Sequence, residues 1–205
     1  MKNSWTGSEA VSLAGAPPAE ENLAVAVHRC EPGALERLID RFEPALYGYA
    51  FGILQNAFDA QEVVQDAILR AHKALTKQYD EARCAALQLR PWLYRTVRNL
   101  ALNKHRAKRH THEEPLDSNH DRAATAEQPD VERRQQTEQL RRAVSRLPDA
   151  ARELIVLRFI DELSYAEIAK IVGTSEAALR GKVFRALKEL RTILEEANGT
   201  ARRSR

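Results

Sequence analysis

The chain reads as an all-α protein: two small helical domains joined by a flexible linker. Three observations predict this. Apolar residues recur at helical spacing through most of the 205 residues. No stretch alternates apolar and polar in the manner of a half-buried strand. Between residues 111 and 136 hydrophobic residues thin out among Glu113, Glu114, Asp117, Asp121, Glu127 and Asp130, with Pro115 and Pro129. A segment of that composition buries too little apolar surface to fold alone.

The elements follow in order. Residues 1–20 are rich in small side chains and end in Pro17-Pro18, which predicts a disordered tail. They contain no continuous apolar run, so they do not read as a secretory leader. A first domain is expected over 21–110. Leu35, Leu38, Ile39, Phe42, Leu46, Tyr49 and Ile53 trace one apolar face across Gly33–Leu54. Asn56 or Asp59 opens the next helix, whose buried side is Val63, Val64, Ala67, Ile68, Ala71 and Leu75. Its other side offers Asp59, Glu62, Gln65, Asp66, Arg70 and Lys73, a polar face that solvent alone would explain. Thr76–Leu89 breaks the pattern and reads as a loop.

The stretch from Arg90 to His110, RPWLYRTVRNLALNKHRAKRH, follows. Pro91 suits a first helical position, and Leu93, Val97, Leu100 and Ala101 form a core-facing stripe. Arg95, Arg98, Lys104, Arg106, Lys108 and Arg109 fall largely outside it, with Trp92 and Tyr94 among them. From Ala82 to His112 there is no Asp or Glu. Cations for phosphates and flat faces for unstacked bases are what single-stranded nucleic acid requires; a solvated basic helix with a core Trp is the plain alternative.

A second domain is expected over 137–196. Leu140, Val144 and Leu147 begin it, Pro148-Asp149 interrupts, and Leu154, Ile155, Leu157, Phe159 and Ile160 continue. Ser164-Tyr165-Ala166-Glu167 has capping-box spacing. Ile168, Ala169, Ile171 and Val172 point inward, Gly173 suits a left-handed helix end, and Thr174 or Ser175 caps a helix with Leu179, Val183, Leu187 and Leu190 inward. Small Ala169, turn Gly173 and apolar Leu179 make a helix-turn-helix, with Arg180, Lys182, Arg185 and Lys188 on its outer side. Residues 197–205 read as a frayed basic tail.

Composition narrows the setting. Hydrophobic residues at 43% and charged residues at 30% fit a soluble globular chain. A net charge of +3 is too small to define a partner, so the information lies in how charge is distributed. Two cysteines, Cys30 and Cys84, make no disulfide framework. No run of about 18 apolar residues occurs, so no membrane span is expected, and the chain is expected to be cytoplasmic.

On these residues the chain resembles bacterial RNA polymerase sigma factors of the extracytoplasmic-function (ECF) group of the sigma-70 family. Asp59-Ala-Gln-Glu-Val-Val-Gln-Asp-Ala-Ile-Leu-Arg-Ala resembles the polymerase-binding helix of the family's region 2, and Arg90-Pro-Trp-Leu-Tyr-Arg-Thr-Val-Arg-Asn-Leu-Ala its promoter-melting helix. Leu147-Pro-Asp-Ala-Ala-Arg-Glu-Leu-Ile-Val-Leu-Arg and Leu163-Ser-Tyr-Ala-Glu-Ile-Ala resemble the lead-in to the helix-turn-helix of region 4. Gln61-Glu62 stands where the family usually has two acidic residues, and Ser175-Glu-Ala-Ala-Leu-Arg-Gly-Lys-Val-Phe departs from its common recognition helix.

The resemblance implies core RNA polymerase as partner, through its beta-prime clamp and beta flap, with Asp59, Glu62, Gln65, Asp66 and Leu69 at the docking face. It implies promoter DNA as the second partner. Tyr94, Arg95, Arg98, Asn99 and Lys104 would meet the melted minus-ten strand, and the 76–89 loop would cradle a flipped base. Thr174, Ser175, Glu176, Arg180, Lys182 and Arg185 would meet the minus-thirty-five duplex. A cognate anti-sigma factor is the third expected partner; no cofactor and no enzymatic activity are implied. Two other readings stand beside it. An autonomous helix-turn-helix repressor or activator accounts for the second domain alone. An enzyme would rest on His105, His110, His112 and Glu113, which offer metal-ligand types but no HExxH motif or Cys pair.

Overall fold

The computed structural model describes residues 22–111 and 131–203, with side chains for 22–108 and 138–197, and among these the only regular structure is helical. α1 (Leu23–His28) is capped by Asn22, whose side chain accepts from Val25 N. α2 (Ala34–Leu54) buries Leu38, Phe42, Leu46 and Tyr49 on the expected face. Gln55 in left-handed conformation closes it, and Asn56 at once caps α3 (Ala57–Lys73), accepting from Asp59 N at 3.0 Å. The buried side of α3 is Ala60, Val63, Val64, Ala67 and Ala71.

Residues 76–89 differ from the expected loop. α3 runs into one π-helical turn, Ala74–Gln78, and Asp80 caps a short α4 (Glu81–Ala86) that buries Cys84. Leu75 O accepts from Cys84 Sγ and lies 2.8 Å from His28 Nδ1, so this connection is tied to the bundle. α5 (Leu89–Thr111) follows, with Trp92 N donating to Gln88 O. It begins two residues before Pro91, which therefore sits inside the first turn. That is compatible because the first N–H groups of a helix need no intrahelical acceptor. α2, α3 and α5 pack together as a three-helix core, with α1 and α4 against one end.

The second group begins at α6 (Val131–Ser145), six residues earlier than the apolar periodicity suggests. α7 (Asp149–Ile155) follows Pro148 and continues as a π-helical turn over Val156–Ile160. Both halves of the capping box form at α8 (Tyr165–Val172): Glu167 N donates to Ser164 Oγ at 3.2 Å, and Ser164 N to Glu167 Oε2 at 2.8 Å. Gly173, φ +70°, provides the left-handed turn. Ser175 is the cap of α9 (Glu176–Arg203), its hydroxyl accepting from Ala178 N at 3.3 Å. The backbone of α9 stays helical through Arg203, where a frayed tail was expected. Its inward stripe is Leu179, Val183, Ala186 and Leu190, whereas Leu187, expected inside, is 40% exposed.

The two groups are not held apart. Tyr49, Leu93 and Tyr94 of the first group and Leu154, Leu157, Ile168 and Leu179 of the second belong to one continuous apolar core, and α5 packs directly on α8.

Candidate nucleic-acid interface

α5 divides into three stripes. The first faces α2 and α3, with Leu93, Val97 and Ala101 fully buried. Farther along the same side Lys104 and Lys108 reach the Asp59 carboxylate, at 3.3 and 2.5 Å, and Lys104 also meets Glu62 at 2.6 Å. Asp59 is therefore an internal staple at the start of α3, only 4% exposed, and does not present itself to a docking partner as expected. Burial alone would push its carboxyl group up; hydrogen bonds from Lys108 and Lys104 and their charges outweigh this and hold it below the usual carboxylate range. A depressed carboxyl contributes stability that is present above its unfolded value and lost as pH falls through the folded one. Asp59→Asn is thus expected to lower the melting temperature at pH 7, by a cost of about 1–2 kcal/mol given the partly exposed lysines. The difference from wild type should shrink below about pH 4. Thermal melts across pH check it, and a pH-independent difference would contradict the staple.

The second stripe, Arg90, Tyr94 and Arg98, faces the other helical group. Arg98 forms a bidentate pair with Glu153 of α7, Nε to Oε1 at 2.7 Å and Nη2 to Oε2 at 3.3 Å. Tyr49 Oη donates to the same Oε1 at 2.6 Å. Burial opposes the Arg98 charge, but the Glu153 bond and charge outweigh it and raise the guanidinium above its ordinary value. The Arg90 guanidinium donates to Asp161 O. Tyr94, expected to face DNA, is 1% exposed, its ring 5.2 Å from that of Tyr49. Burial first, then the neighbouring Asp161 charge, raises its hydroxyl well above the usual range.

The third stripe is open. Trp92, Thr96 and Asn99 line a cleft of about 490 Å³ whose other wall is Arg70, Lys73, Ala74, Gln78 and Tyr79. The Tyr79 and Trp92 rings meet edge to face at 6.3 Å, and the Arg83 guanidinium lies 3.8 Å from the Tyr79 centroid. Asn99 is exposed within it, and Arg95 and Arg106 are exposed on the same stripe of α5. Aromatic rings flanked by cations are the elements of a base-stacking site. Arg70, Lys73 and Tyr79 were not singled out for this role in the sequence. The π-helical turn supplies Ala74 and Gln78 to the wall of the cleft.

On α3 the outward stripe is Phe58, Glu62, Gln65 and Leu69, with Asp66 at its edge; Phe58 is 78% and Leu69 66% exposed. On α9, Glu176, Arg180, Lys182 and Arg185 are exposed, Thr174 is half-buried, and the Ser175 hydroxyl is engaged as a cap. Arg180 lies 3.9 Å from Glu176 and stacks over Tyr165, 4.8 Å from the ring centroid. Phe184, absent from the expected contacts, projects from the same face at 69% exposure. It escapes notice because it adjoins the inward Val183. His105 is half-buried, and the side chains of His110 and His112 lie outside the described residues.

The chain thus joins a helical bundle that carries a cationic, aromatic-lined helix to a helix-turn-helix with a cationic outer face. Residues 38–111 match sigma-70 region 2, and residues 137–190 match sigma-70, region 4. The chain is 30% identical over 189 residues to the RNA polymerase sigma factor NccH of Alcaligenes xylosoxydans xylosoxydans, covering 88% of this chain and 97% of that one. It is 25% identical over 180 residues to the ECF RNA polymerase sigma factor SigW of Bacillus subtilis, covering 83% and 94%. The fold is similar to that of the sigma factor RpoE solved in complex with the anti-sigma factor NepR from Bartonella quintana. The TM-score is 0.63 at 21% identity, over 80% of this chain and 98% of that one. The chain belongs to the ECF group of the sigma-70 family, whose members bind core RNA polymerase and direct it to promoters. Region 2 has no place in an autonomous helix-turn-helix repressor, and that reading is not favoured.

Proposed function

We propose a division of labour among the exposed faces, carried by one observation: the cleft that brings Trp92, Tyr79 and Asn99 together with Arg70 and Lys73. A base of the melted minus-ten strand leaves the stack and enters this cleft, as bases must to be read outside a duplex. Arg95, with Arg106, holds the strand's backbone. Glu62, Gln65, Asp66 and Leu69, joined by Phe58, dock on core polymerase. Glu176, Arg180, Lys182 and Arg185, with Thr174 and Ser175 at the helix start, approach the minus-thirty-five duplex. There Phe184 is suited to the apolar contact that a thymine methyl accepts. The working domains are α1 to α5 and α6 to α9, joined by residues 112–130. The protein acts in the cytoplasm without catalysis of its own, the chemistry belonging to the polymerase. An anti-sigma factor holds it inactive between signals; the family resemblance supports this, as does the likeness to sigma factors solved in complex with anti-sigma partners.

Arg95→Ala and Asn99→Ala test the assignment. Removing a phosphate contact should weaken open-complex formation on every promoter alike and lower the salt slope by about 0.7. Removing Asn99 should instead relax base preference at one minus-ten position while leaving the salt slope unchanged. Permanganate footprinting across a panel of minus-ten variants reads both. Loss of base preference from Arg95→Ala, with none from Asn99→Ala, would reverse the roles.

A further inference from the structure

The second stripe of α5 has a use that the open cleft does not. Its cation Arg98 is occupied by a carboxylate from the other domain in bidentate geometry, and a phosphate presents two oxygens to a guanidinium in the same way. The pair is largely enclosed, side chains 23% and 11% exposed, and Tyr49 adds a third bond to the same carboxylate. Around it the Arg90 guanidinium donates to Asp161 O, Lys170 donates to Gln88, and Arg152 Nη1 lies 3.5 Å from Gly52 O. We propose that Glu153 stands in for a DNA phosphate on Arg98, latching region 4 over region 2 in the free protein, so that engaging a promoter requires the latch to open.

Geometry alone requires some such opening. Packed helices lie about 8–10 Å apart, and α5 packs on α8. Two promoter elements separated by about two turns of duplex lie roughly 70 Å apart, at about 34–36 Å per turn. The closed arrangement can therefore present one reading surface at a time. Opening uncovers Tyr94 and returns Arg98 to solvent, where it becomes a strand contact beside Arg95. The latch thus competes with nucleic acid for one guanidinium and keeps polymerase-free protein from holding both elements. This rests on the reading of α5 as the single-strand face.

The test uses the full chain, with and without Glu153→Ala, and Glu153→Gln as the variant that keeps the shape and removes the charge. Small-angle scattering reads domain separation. Anisotropy of a fluorescein-labelled, mixed-sequence single-stranded 20-mer reads the strand face, and circular dichroism reads the fold. Wild type should be near the compact radius of gyration, about 17 Å for a globule of this length. Glu153→Ala should be clearly larger and bind the oligonucleotide about tenfold more tightly, because the competent fraction rises; Glu153→Gln should fall between. An expanded wild type, or a Glu153→Ala protein as compact as wild type, overturns the latch. Expansion with no gain in affinity overturns the phosphate mimicry. Arg95→Ala, on the uncovered stripe, separates the two failures. If it leaves oligonucleotide binding unchanged in both backgrounds, the strand-face reading falls and the proposal with it. If it weakens binding while Glu153→Ala changes nothing, the latch alone is wrong.

Discussion

Leu69→Asp is expected to abolish retention by core RNA polymerase while leaving the far-UV circular dichroism of the protein unchanged. The apolar side of α3 is already spent on the bundle, with Ala60, Val64, Ala67 and Ala71 fully buried. Leu69 lies on the opposite side with two-thirds of its surface in water, on one helical stripe with Phe58, Glu62 and Gln65. Large apolar side chains in that position gain nothing from the fold and are suited to anchor a partner. Truncating an interface anchor costs about 2 kcal/mol or more, roughly a thirtyfold loss at about 1.4 kcal/mol per tenfold. A carboxylate that must be desolvated adds to it. Asp66→Lys, at the edge of the same stripe, should act in the same direction by reversing a charge. Co-elution with core polymerase measures both. Retention of either variant at wild-type level would mean that this face is merely solvated.

Deleting Glu113–Ala124 is expected to leave both domains folded and to collapse transcription from promoters that need two elements. The segment between α5 and α6 covers residues 112–130. About 20 residue steps at 3.3–3.6 Å reach roughly 66–72 Å when fully extended, close to the roughly 70 Å between elements two turns apart. The structure tightens this relation, because residues 131–136 belong to α6 and advance only about 1.5 Å each. After the deletion about eight steps remain, with a reach below about 30 Å. Both domains then cannot engage at once, and the gain in effective concentration from linking them is lost. Run-off transcription beside wild type reads the effect. Near-normal activity would show that the connection does not set the spacing.

Local signals in the sequence were strong at several helix ends. Asn56, Ser164 with Glu167, Gly173 and Ser175 each do in the structure what their side chains predict. The inward faces of α2 and α3 also follow from spacing alone. What the sequence hid was pairing across distance. Tyr94 and Arg98 look like surface residues because their partners, Tyr49 and Glu153, are contributed by other helices, Glu153 lying 55 positions away. Asp59 looks like a docking residue for the same reason: the lysines that claim it sit on α5. The cleft was half legible. Trp92 and Asn99 stood out, but α4 is six residues long with one buried side chain, Cys84, too little for a periodic pattern to reveal. On α9, adjacent Val183 and Phe184 allowed the stripe to be drawn through Leu187 when packing selects Ala186.

The chain works as the specificity subunit of a polymerase and not as a DNA-binding protein in its own right. The direct measurement is promoter-specific run-off transcription by core polymerase with and without the protein, on start sites mapped after its overproduction, alongside gel shifts of the same promoters by the protein alone. Specific transcripts that require the protein, with only weak binding by the protein alone, are the expected result. Tight, promoter-specific shifts by the free protein with no transcripts gained on adding it to core polymerase would contradict it.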